Sequence, residues 1–257
     1  MAIELAGGCR AFALREGEPV AQGGVRIWRH VGRERGADAI SLNVLEVAPG
    51  AATAWRNPEC DEVLFVVSGS GDLLGGGQRH RVAPDTGIFV RPGSRLAVSN
   101  PGETPLLLVS SRCPDPGVRI LFEEAARSEA DSIDPGSSLV RFDDQPTERA
   151  GDGRWFRVLV DAKSGCEQVT QFVGFIPPGR APDHFHEYEE VLCILEGEAR
   201  FWSGDSSAPV GPGWGVYLPR RQPHCLENTG TKPLKLYGLF YPAGSPAVRY
   251  HPERAAR

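Results

Sequence analysis

The sequence predicts an all-β protein built from two similar domains with little helix. Short apolar segments, broken by Gly, Pro, Asn and Asp, recur along the 257 residues and are typical of strands in a barrel or sandwich. Helix-forming sequence is scarce, and the second half repeats the first at a constant offset. A chain of this length can form two ordinary domains, each with its own core.

The strand candidates follow one another at similar spacing in both halves. One helix candidate, residues 121–130, is rich in Ala and Glu, and the loop-forming sequence DSIDPGSS follows it. We therefore predict domains at 1–122 and 138–257, joined by a linker with a short helix at 123–137. In chain order, the strand candidates are SLNVLEVAPG, DEVLFVVSGSG, TGIFVRPG, TPLLLVSS, WFRVLVD, VTQFVGFIPPG, EVLCILEGEARFW, WGVYLPR and LKLYGLF.

The two halves share turn residues and apolar positions at one offset. A fixed offset across so many positions indicates an internal repeat rather than chance similarity. The matched pairs are Glu62 with Glu190, Val63 with Val191, Leu64 with Leu192, Gly69 with Gly197, Pro84 with Pro212, Gly87 with Gly215, Asn100 with Asn228, Gly102 with Gly230 and Pro105 with Pro233.

Composition and charge narrow the possible partners and locations. The net charge of −5 opposes non-specific binding to nucleic acid or anionic lipid. No apolar run approaches the length of a membrane helix, and charged residues interrupt the N-terminal sequence, which therefore does not resemble a signal peptide. We expect no nucleic-acid or membrane partner and a cytoplasmic location. The six cysteines form no C-x-x-C pair, so we expect free thiols.

The candidate site lies in the sequence HFHEYEE. In a strand, alternate side chains share a face, so His184, His186 and Glu190 are expected on one side. His224, in LPRRQPHCLEN, is the fourth candidate. Imidazoles and a carboxylate form a nitrogen and oxygen donor set that suits a divalent transition metal and leaves positions for substrate.

These residues resemble the two motifs of the cupin superfamily. The spacer between Gly179 and His184 is one residue shorter than in the first motif, and Arg221 stands where the second motif has Gly. The resemblance implies small antiparallel barrels of the double-stranded β-helix, or jelly-roll-like, type. Together with the repeat it implies a bicupin, in which one Mn(II) or Fe(II) ion is favoured and Zn, Ni, Co or Cu also fits the donors. The matching residues are Gly179, His184, His186, Glu190 and Gly197 in the first motif, and Gly213, Pro219, His224 and Asn228 in the second.

The first half lacks most of the implied ligands. At the constant offset, Arg56, Pro58 and Leu96 stand in place of the three histidines, and Glu62 alone is kept. A guanidinium cannot bind a cation, and Pro and Leu have no side-chain donor atom. We therefore expect a metal-free N-terminal barrel, with Glu62 paired to Arg56 or the two residues together binding a small polar molecule.

Other residues near the motifs are candidates for catalysis and substrate binding. Tyr188 shares the parity of the ligands and is either a proton donor or a packing residue. Arg220 and Arg221 precede His224 and either bind an anionic substrate or are solvated turn residues. The same parity places three apolar side chains along the ligand face, those of Leu192, Ile194 and Leu226.

The resemblance implies a range of functions rather than one. We expect a metal-dependent enzyme that acts on a small, oxygen-rich metabolite by dioxygenase-type or isomerase-type chemistry. The arrangement of two barrels with a metal only in the C-terminal one also resembles ureidoglycine aminohydrolases. The order of the metal ligands in that family differs from the order in this chain. A non-catalytic metal-binding or small-ligand-binding protein is the other alternative. Both a monomer and a homodimer are compatible with the sequence.

Overall fold

The computed structural model describes residues 1–75, 78–118, 120–123 and 138–251. The prediction of an all-β fold is confirmed, because the described residues form strands and four short 3-10 helices and no α-helix. None of their helices is long and apolar enough to cross a membrane. The 3-10 helices are Ala6–Gly8, Arg33–Arg35, Phe142–Asp144 and Ala162–Ser164.

Twenty-three strands are numbered here in chain order. The first thirteen are β1 (Ile3–Glu4), β2 (Arg10–Ala13), β3 (Val20–Gln22), β4 (Val25–Val31), β5 (Leu42–Val47), β6 (Ala52–Arg56), β7 (Asp61–Ser68), β8 (Gly71–Gly75), β9 (Gln78–Val82), β10 (Thr86–Val90), β11 (Arg95–Ser99), β12 (Leu106–Cys113) and β13 (Leu121–Glu123). The others are β14 (Ser138–Arg141), β15 (Glu148–Gly151), β16 (Arg154–Val160), β17 (Thr170–Ile176), β18 (Glu189–Glu196), β19 (Ala199–Ser203), β20 (Ser206–Val210), β21 (Trp214–Leu218), β22 (His224–Asn228) and β23 (Leu234–Tyr241).

The chain forms two compact units that are not continuous in sequence. The N-terminal unit comprises the described parts of Gly17–Gln145 and Leu159–Gln168. The C-terminal unit comprises those of Met1–Glu16, Pro146–Val158 and Val169–Arg257. The predicted domain limits, which are continuous ranges, stay a prediction.

Each unit contains one large and one smaller sheet. The N-terminal unit has the sheets β14-β10-β7-β12-β5-β4-β3 and β13-β6-β11-β8-β9. In the C-terminal unit, the large sheet has the order β1-β2-β21-β18-β23-β17-β16-β15 and the small one β20-β19-β22. In each unit, apolar side chains of both sheets form one core cluster, as expected for strands that bury one face against another sheet.

The predicted helix at 121–130 is partly wrong. Its first residues form strand β13, which pairs antiparallel with β6 at Leu121↔Arg56. This pairing adds an edge strand to the sheet, and tertiary contact overrides the weak preference of isolated sequence for helix. The remaining residues of the predicted helix lie outside the described part of the chain.

Strand β18 positions the candidate site in the C-terminal unit. It pairs with β21 and β23 on its two sides, and its side chains alternate between faces. Leu192 and Ile194 lie in the core cluster of this unit. Gly197, which follows the strand, has φ +91, and a Cβ there would meet Leu234 at 3.2 Å, so the motif glycine is needed for both backbone conformation and space.

Candidate metal centre

Three histidine side chains converge in the C-terminal unit. One ring nitrogen from each of His184, His186 and His224 lies within 4.8 Å of the other two. Their ring centroids are 4.7 Å apart for His184 and His224 and 5.0 Å apart for His184 and His186. The three imidazoles therefore lie close together, as expected from the sequence, and their role as metal ligands stays a prediction.

Backbone pairing accounts for the convergence. His184 and His224 form an antiparallel bridge, with N···O distances of 3.0 Å and 2.8 Å. His186 follows on the same face, and the residues between and after, Phe185 and Glu187, are half-buried and exposed respectively. Alternation of side chains along an extended segment thus places both imidazoles of the H-x-H motif on the inner side.

The orientation of each ring is fixed by a backbone carbonyl. The Nδ1 atom lies 3.3 Å from the oxygen of Pro182 for His184, 2.9 Å from that of Val248 for His186, and 2.8 Å from that of Gln222 for His224. Because a carbonyl only accepts, Nδ1 carries the proton and donates it. The Nε2 lone pair of each ring is left free, as in histidines that bind metals.

Burial keeps the three imidazoles neutral. It lowers the pKa of His184 to about 2, with further lowering by His224 and His186. It also lowers the pKa of His186 to about 3 and that of His224 to about 4. A metal ion competes with protons for the same lone pair, so neutral rings are ready to bind it.

Glu190 lies at the edge of the histidine cluster. Its Oε2 atom is 3.8 Å from Nε2 of His186, and its side chain is buried without a hydrogen bond to any described residue. Burial raises the pKa of Glu190 to about 8. A buried carboxyl without a partner is costly when ionised, and a cation in the cluster would remove this cost. The donors present therefore fit a divalent metal ion, although the role of Glu190 as fourth ligand stays a prediction.

A cavity of about 90 Å³ adjoins these side chains. Its walls are largely aromatic and aliphatic, and the predicted apolar lining is found at Leu192 and Leu226, whereas Ile194 packs in the core but does not line the cavity. Its other principal apolar residues are Trp155, Phe156, Phe172, Phe175, Ile176 and Leu236.

Tyr188 is buried in a stack of rings. Its ring lies 4.6 Å from that of His186 and 3.9 Å from that of Phe240, with interplanar angles of 9° and 13°. The stack favours the packing role over that of a proton donor, and burial raises the pKa of the phenol. Tyr188 lines the cavity, and a catalytic role for it stays a prediction.

The two predicted substrate-binding arginines lie apart from the cavity. Arg220 is exposed, and the guanidinium of Arg221 pairs with Glu187 at 2.7 Å on the surface. Arg221 has φ +61, so it adopts the conformation that the motif glycine would have. Its backbone N–H donates to the oxygen of His186 at 2.7 Å. The turn is therefore kept, and substrate binding by these arginines stays a prediction.

Two arginines that the sequence analysis did not single out line the cavity instead. They are Arg154, at the start of β16, and Arg249, in the segment after β23. The Asp-Gly pair before Arg154, with φ +51 and +72, is a typical hairpin turn. That signal predicts where β16 begins, but nothing local shows which cavity Arg154 faces.

The equivalent place in the N-terminal unit holds a tryptophan. Trp55 lies opposite Leu96, as His184 lies opposite His224. Strand register therefore matches Trp55, and not Arg56, with His184. Gly179 pairs with Asn228 and His184 pairs with His224. Five positions separate the first residues of these pairs and only four separate their partners, so the segment before His184 contains one extra residue.

The expected pair of Glu62 and Arg56 is wrong. The Glu62 carboxylate accepts hydrogen bonds from Trp55 Nε1 at 3.2 Å and from Ser110 Oγ at 2.5 Å. Arg56 lies on the exposed side of the sheet and pairs with Glu123 at 3.0 Å. Because the two side chains point to different environments, they do not form a joint site for a polar molecule either.

The six cysteines are all buried, and none of them forms a disulfide. Cys225, next to His224, donates from Sγ to the oxygen of Ala181 at 3.0 Å. Burial raises the pKa of Cys225 and also that of Cys193, on β18. Thiols with raised pKa values are poor nucleophiles and poor metal ligands at neutral pH, so the candidate centre relies on nitrogen and oxygen donors.

The repeat and the histidine cluster agree with a comparison to known families. A model described as "Cupin domain" matches residues 43–111 and again residues 172–240. This chain belongs to the cupin family. Two matches in one chain make it a bicupin, as the motifs and the repeat predicted.

Relatives of known sequence or structure support the family and the fold. Protein SchB of Streptomyces halstedii is 30% identical over 94 residues, which cover 36% of this bicupin and 68% of SchB. A Pseudomonas aeruginosa protein named as glyoxylate-induced has a TM-score of 0.74 at 19% identity, covering 94% of this chain and 91% of that one. A deletion mutant of Bacillus subtilis oxalate decarboxylase OxdC has a TM-score of 0.71 at 13% identity, covering 91% and 78%.

Proposed function

We propose that this bicupin is an enzyme that uses one divalent transition metal ion, held in the C-terminal unit, to act on a small, oxygen-rich metabolite. The observation that carries the proposal is the convergence of three Nε2 atoms whose rings are each fixed through Nδ1 by a backbone carbonyl. Three neutral imidazoles aimed at one point have no evident role in packing. Such an arrangement suits metal binding.

The ligands would be His184, His186, His224 and Glu190. Three neutral nitrogen donors and one carboxylate suit Mn(II) or Fe(II), and the same donors accept Zn, Ni, Co or Cu. Support for manganese comes from a solved structure of Bacillus subtilis oxalate decarboxylase that is described through its Mn(II) centers. Four protein ligands leave about two positions of an octahedral ion for a substrate.

When bound, a divalent ion supplies a Lewis acid that polarises a carbonyl or carboxylate and stabilises developing negative charge. The chain's own residues orient and enclose the substrate. The backbone carbonyl of Val248 holds His186 in position, and the rings of Phe156 and Phe172 limit the size of the ligand and exclude water. Oxidative or isomerising chemistry fits this arrangement, and the similarity to oxalate decarboxylase adds decarboxylation of a small acid.

We also propose that the N-terminal unit binds no metal. The Trp55 indole occupies the register position of His184, and its N–H donates to the only acidic residue kept from the ligand set, Glu62. An indole nitrogen has no free lone pair for a cation. One metal ion per chain is the expected stoichiometry.

The test measures metal content and turnover in the same preparations. Protein reconstituted with Mn(II) or Fe(II) should hold about one equivalent of metal. Substitutions His224→Gln and Glu190→Gln should each weaken metal affinity by about tenfold or more, the range seen when groups that support a metal site are lost. Elemental analysis and competition with a metal-binding dye measure both quantities.

Matched controls separate a metal site from general damage. His80→Gln changes an exposed histidine of the other unit, and Glu196→Gln changes the far end of β18, so both should keep the metal affinity of the wild type.

Oxalate, glyoxylate, catechols, keto acids and uronates would be screened by oxygen uptake and mass change. Metal binding without any turnover would favour the non-catalytic alternative, and unchanged metal affinity in the His224 variant would disprove the metal site.

A further inference from the structure

Arg154 places a positive charge beside the candidate metal centre. It begins β16 and lines the same cavity as His184, His186 and His224. Along this strand the side chains alternate, and Phe156, two residues on, also lines the cavity and belongs to the core cluster. Arg154 therefore shares a face of β16 with Phe156, at the end of the strand where Trp155 also reaches the cavity.

The guanidinium of Arg154 has no hydrogen bond or ion pair with any residue that the structure describes, although the residue is half-buried. By contrast, Arg249 donates to the oxygen of Ala150 at 2.6 Å and pairs with Asp152 at 3.3 Å. Burial, followed by repulsion from Arg249, lowers the pKa of Arg154. The carboxylate of Asp152 partly opposes this lowering, but it pairs with Arg249. The N–H groups of Arg154 therefore have no acceptor among the described residues, and a bound anion would supply one.

The electrostatic surroundings locate this charge near the metal ligands. Burial is the main cause of the lowered pKa values of His184, His186 and His224, and the charge of Arg154 contributes to each. The raised pKa of Glu190 has burial as its only cause, so Arg154 does not act as the partner of that carboxyl. Among the described residues that line the cavity, Glu190 is the one carboxylic acid.

We propose that Arg154 binds the carboxylate of a small acid whose other oxygen atoms reach the metal centre. Guanidinium presents two parallel N–H groups that match a carboxylate, and the cavity of about 90 Å³ with apolar walls suits an acid with few heavy atoms. This inference rests on the proposed function and makes it more specific, because it defines the substrate class as a small carboxylic acid.

The experiment measures binding of oxalate by calorimetry to the Mn(II)-loaded protein. In Arg154→Gln, oxalate affinity should fall by about tenfold or more, the loss expected for a charge-assisted hydrogen bond. Arg154→Lys keeps the positive charge but lacks the two parallel N–H groups of guanidinium, so it should give an intermediate oxalate affinity. Glycolamide, an uncharged ligand of similar size, should bind the wild type and Arg154→Gln equally.

Controls keep this test separate from that of the metal site. Arg157→Gln, on the same strand, changes a guanidinium that donates to Thr147 at 3.0 Å and does not line the cavity, so it should keep oxalate affinity. Metal content should be the same in all variants. If Mn(II) binds normally but oxalate binds equally well with Arg154→Gln, or does not bind the wild type, the inference about Arg154 fails while the metal site stands. Loss of Mn(II) from the wild type would instead overturn the proposed function.

Discussion

At the scale of single residues, the candidate centre depends on backbone groups as well as on side chains. The carbonyls of Pro182, Gln222 and Val248 select the tautomer of the three histidines and aim Nε2 at a common point. Every residue has a backbone carbonyl, so a sequence motif identifies the imidazoles but not the carbonyls that orient them. Strand parity was sufficient to place His184 and His186 on one face, because alternation is a property of local backbone geometry. The position of His224 beside them depends on the pairing of two segments.

Buried Glu62 makes a prediction about pH and stability in the N-terminal unit. Burial raises its pKa above the ordinary value of 4.5, against the lowering effect of Ser110, Arg112 and Trp55. The folded protein therefore holds this proton more tightly than the unfolded chain does. Stability from Glu62 is complete below about pH 4.5 and is lost as pH rises through the higher pKa of the folded state.

Glu62→Gln should remove this loss, because an amide keeps an oxygen for Ser110 and carries no charge. The variant should be more stable than the wild type at pH 7 to 8, by about 1.4 kcal/mol for each unit by which folding raises the pKa. The gap should shrink towards pH 4. Urea unfolding at several pH values measures it, and parallel curves for the two proteins would contradict the assignment.

At the scale of strands and segments, register decides which residues correspond between the halves. The constant offset matched Arg56 with His184, whereas cross-strand pairing matches Trp55 with it. One added residue before the H-x-H motif shifts the register locally, and the offset is restored at Glu190, which lies opposite Leu218 as Glu62 lies opposite Val90. A single offset between the two halves does not reveal such a local shift in strand register.

The segment after β23 contributes residues to the candidate metal centre. Val248 accepts the hydrogen bond from His186, Arg249 lines the cavity, and Tyr250 pairs with Phe185 through two backbone bonds of 2.7 Å and 3.0 Å. These contacts hold the segment against the residues of the first motif. The segment therefore supports the orientation of His186 from outside the motif itself.

Removal of this segment should weaken metal binding. A chain ending at Ala243 loses the carbonyl that fixes His186, and we expect metal affinity to fall by about tenfold or more. A chain ending at His251 keeps every contact described above and is the matched control. Titration with Mn(II) under competition measures both, and equal affinities for the two truncated chains would show that the segment does not support the site.

At the scale of the whole molecule, one repeated fold carries two different interiors. The C-terminal unit has a largely apolar cavity that three imidazoles line, and the N-terminal unit has Trp55 within its apolar cluster. The sequence predicted the all-β class, the repeat and the histidine cluster because each follows from periodicity or spacing. It did not reveal Arg154 or the partners of Glu62, since these depend on which strands become neighbours in space.

The most direct test of the central claim is anomalous diffraction from a crystal of the Mn(II)-loaded protein. We expect one strong anomalous peak per chain, within bonding distance of Nε2 of His184, His186 and His224 and of a carboxylate oxygen of Glu190. A peak beside Trp55 and Glu62 in the N-terminal unit, or no peak among the three histidines, would contradict the account.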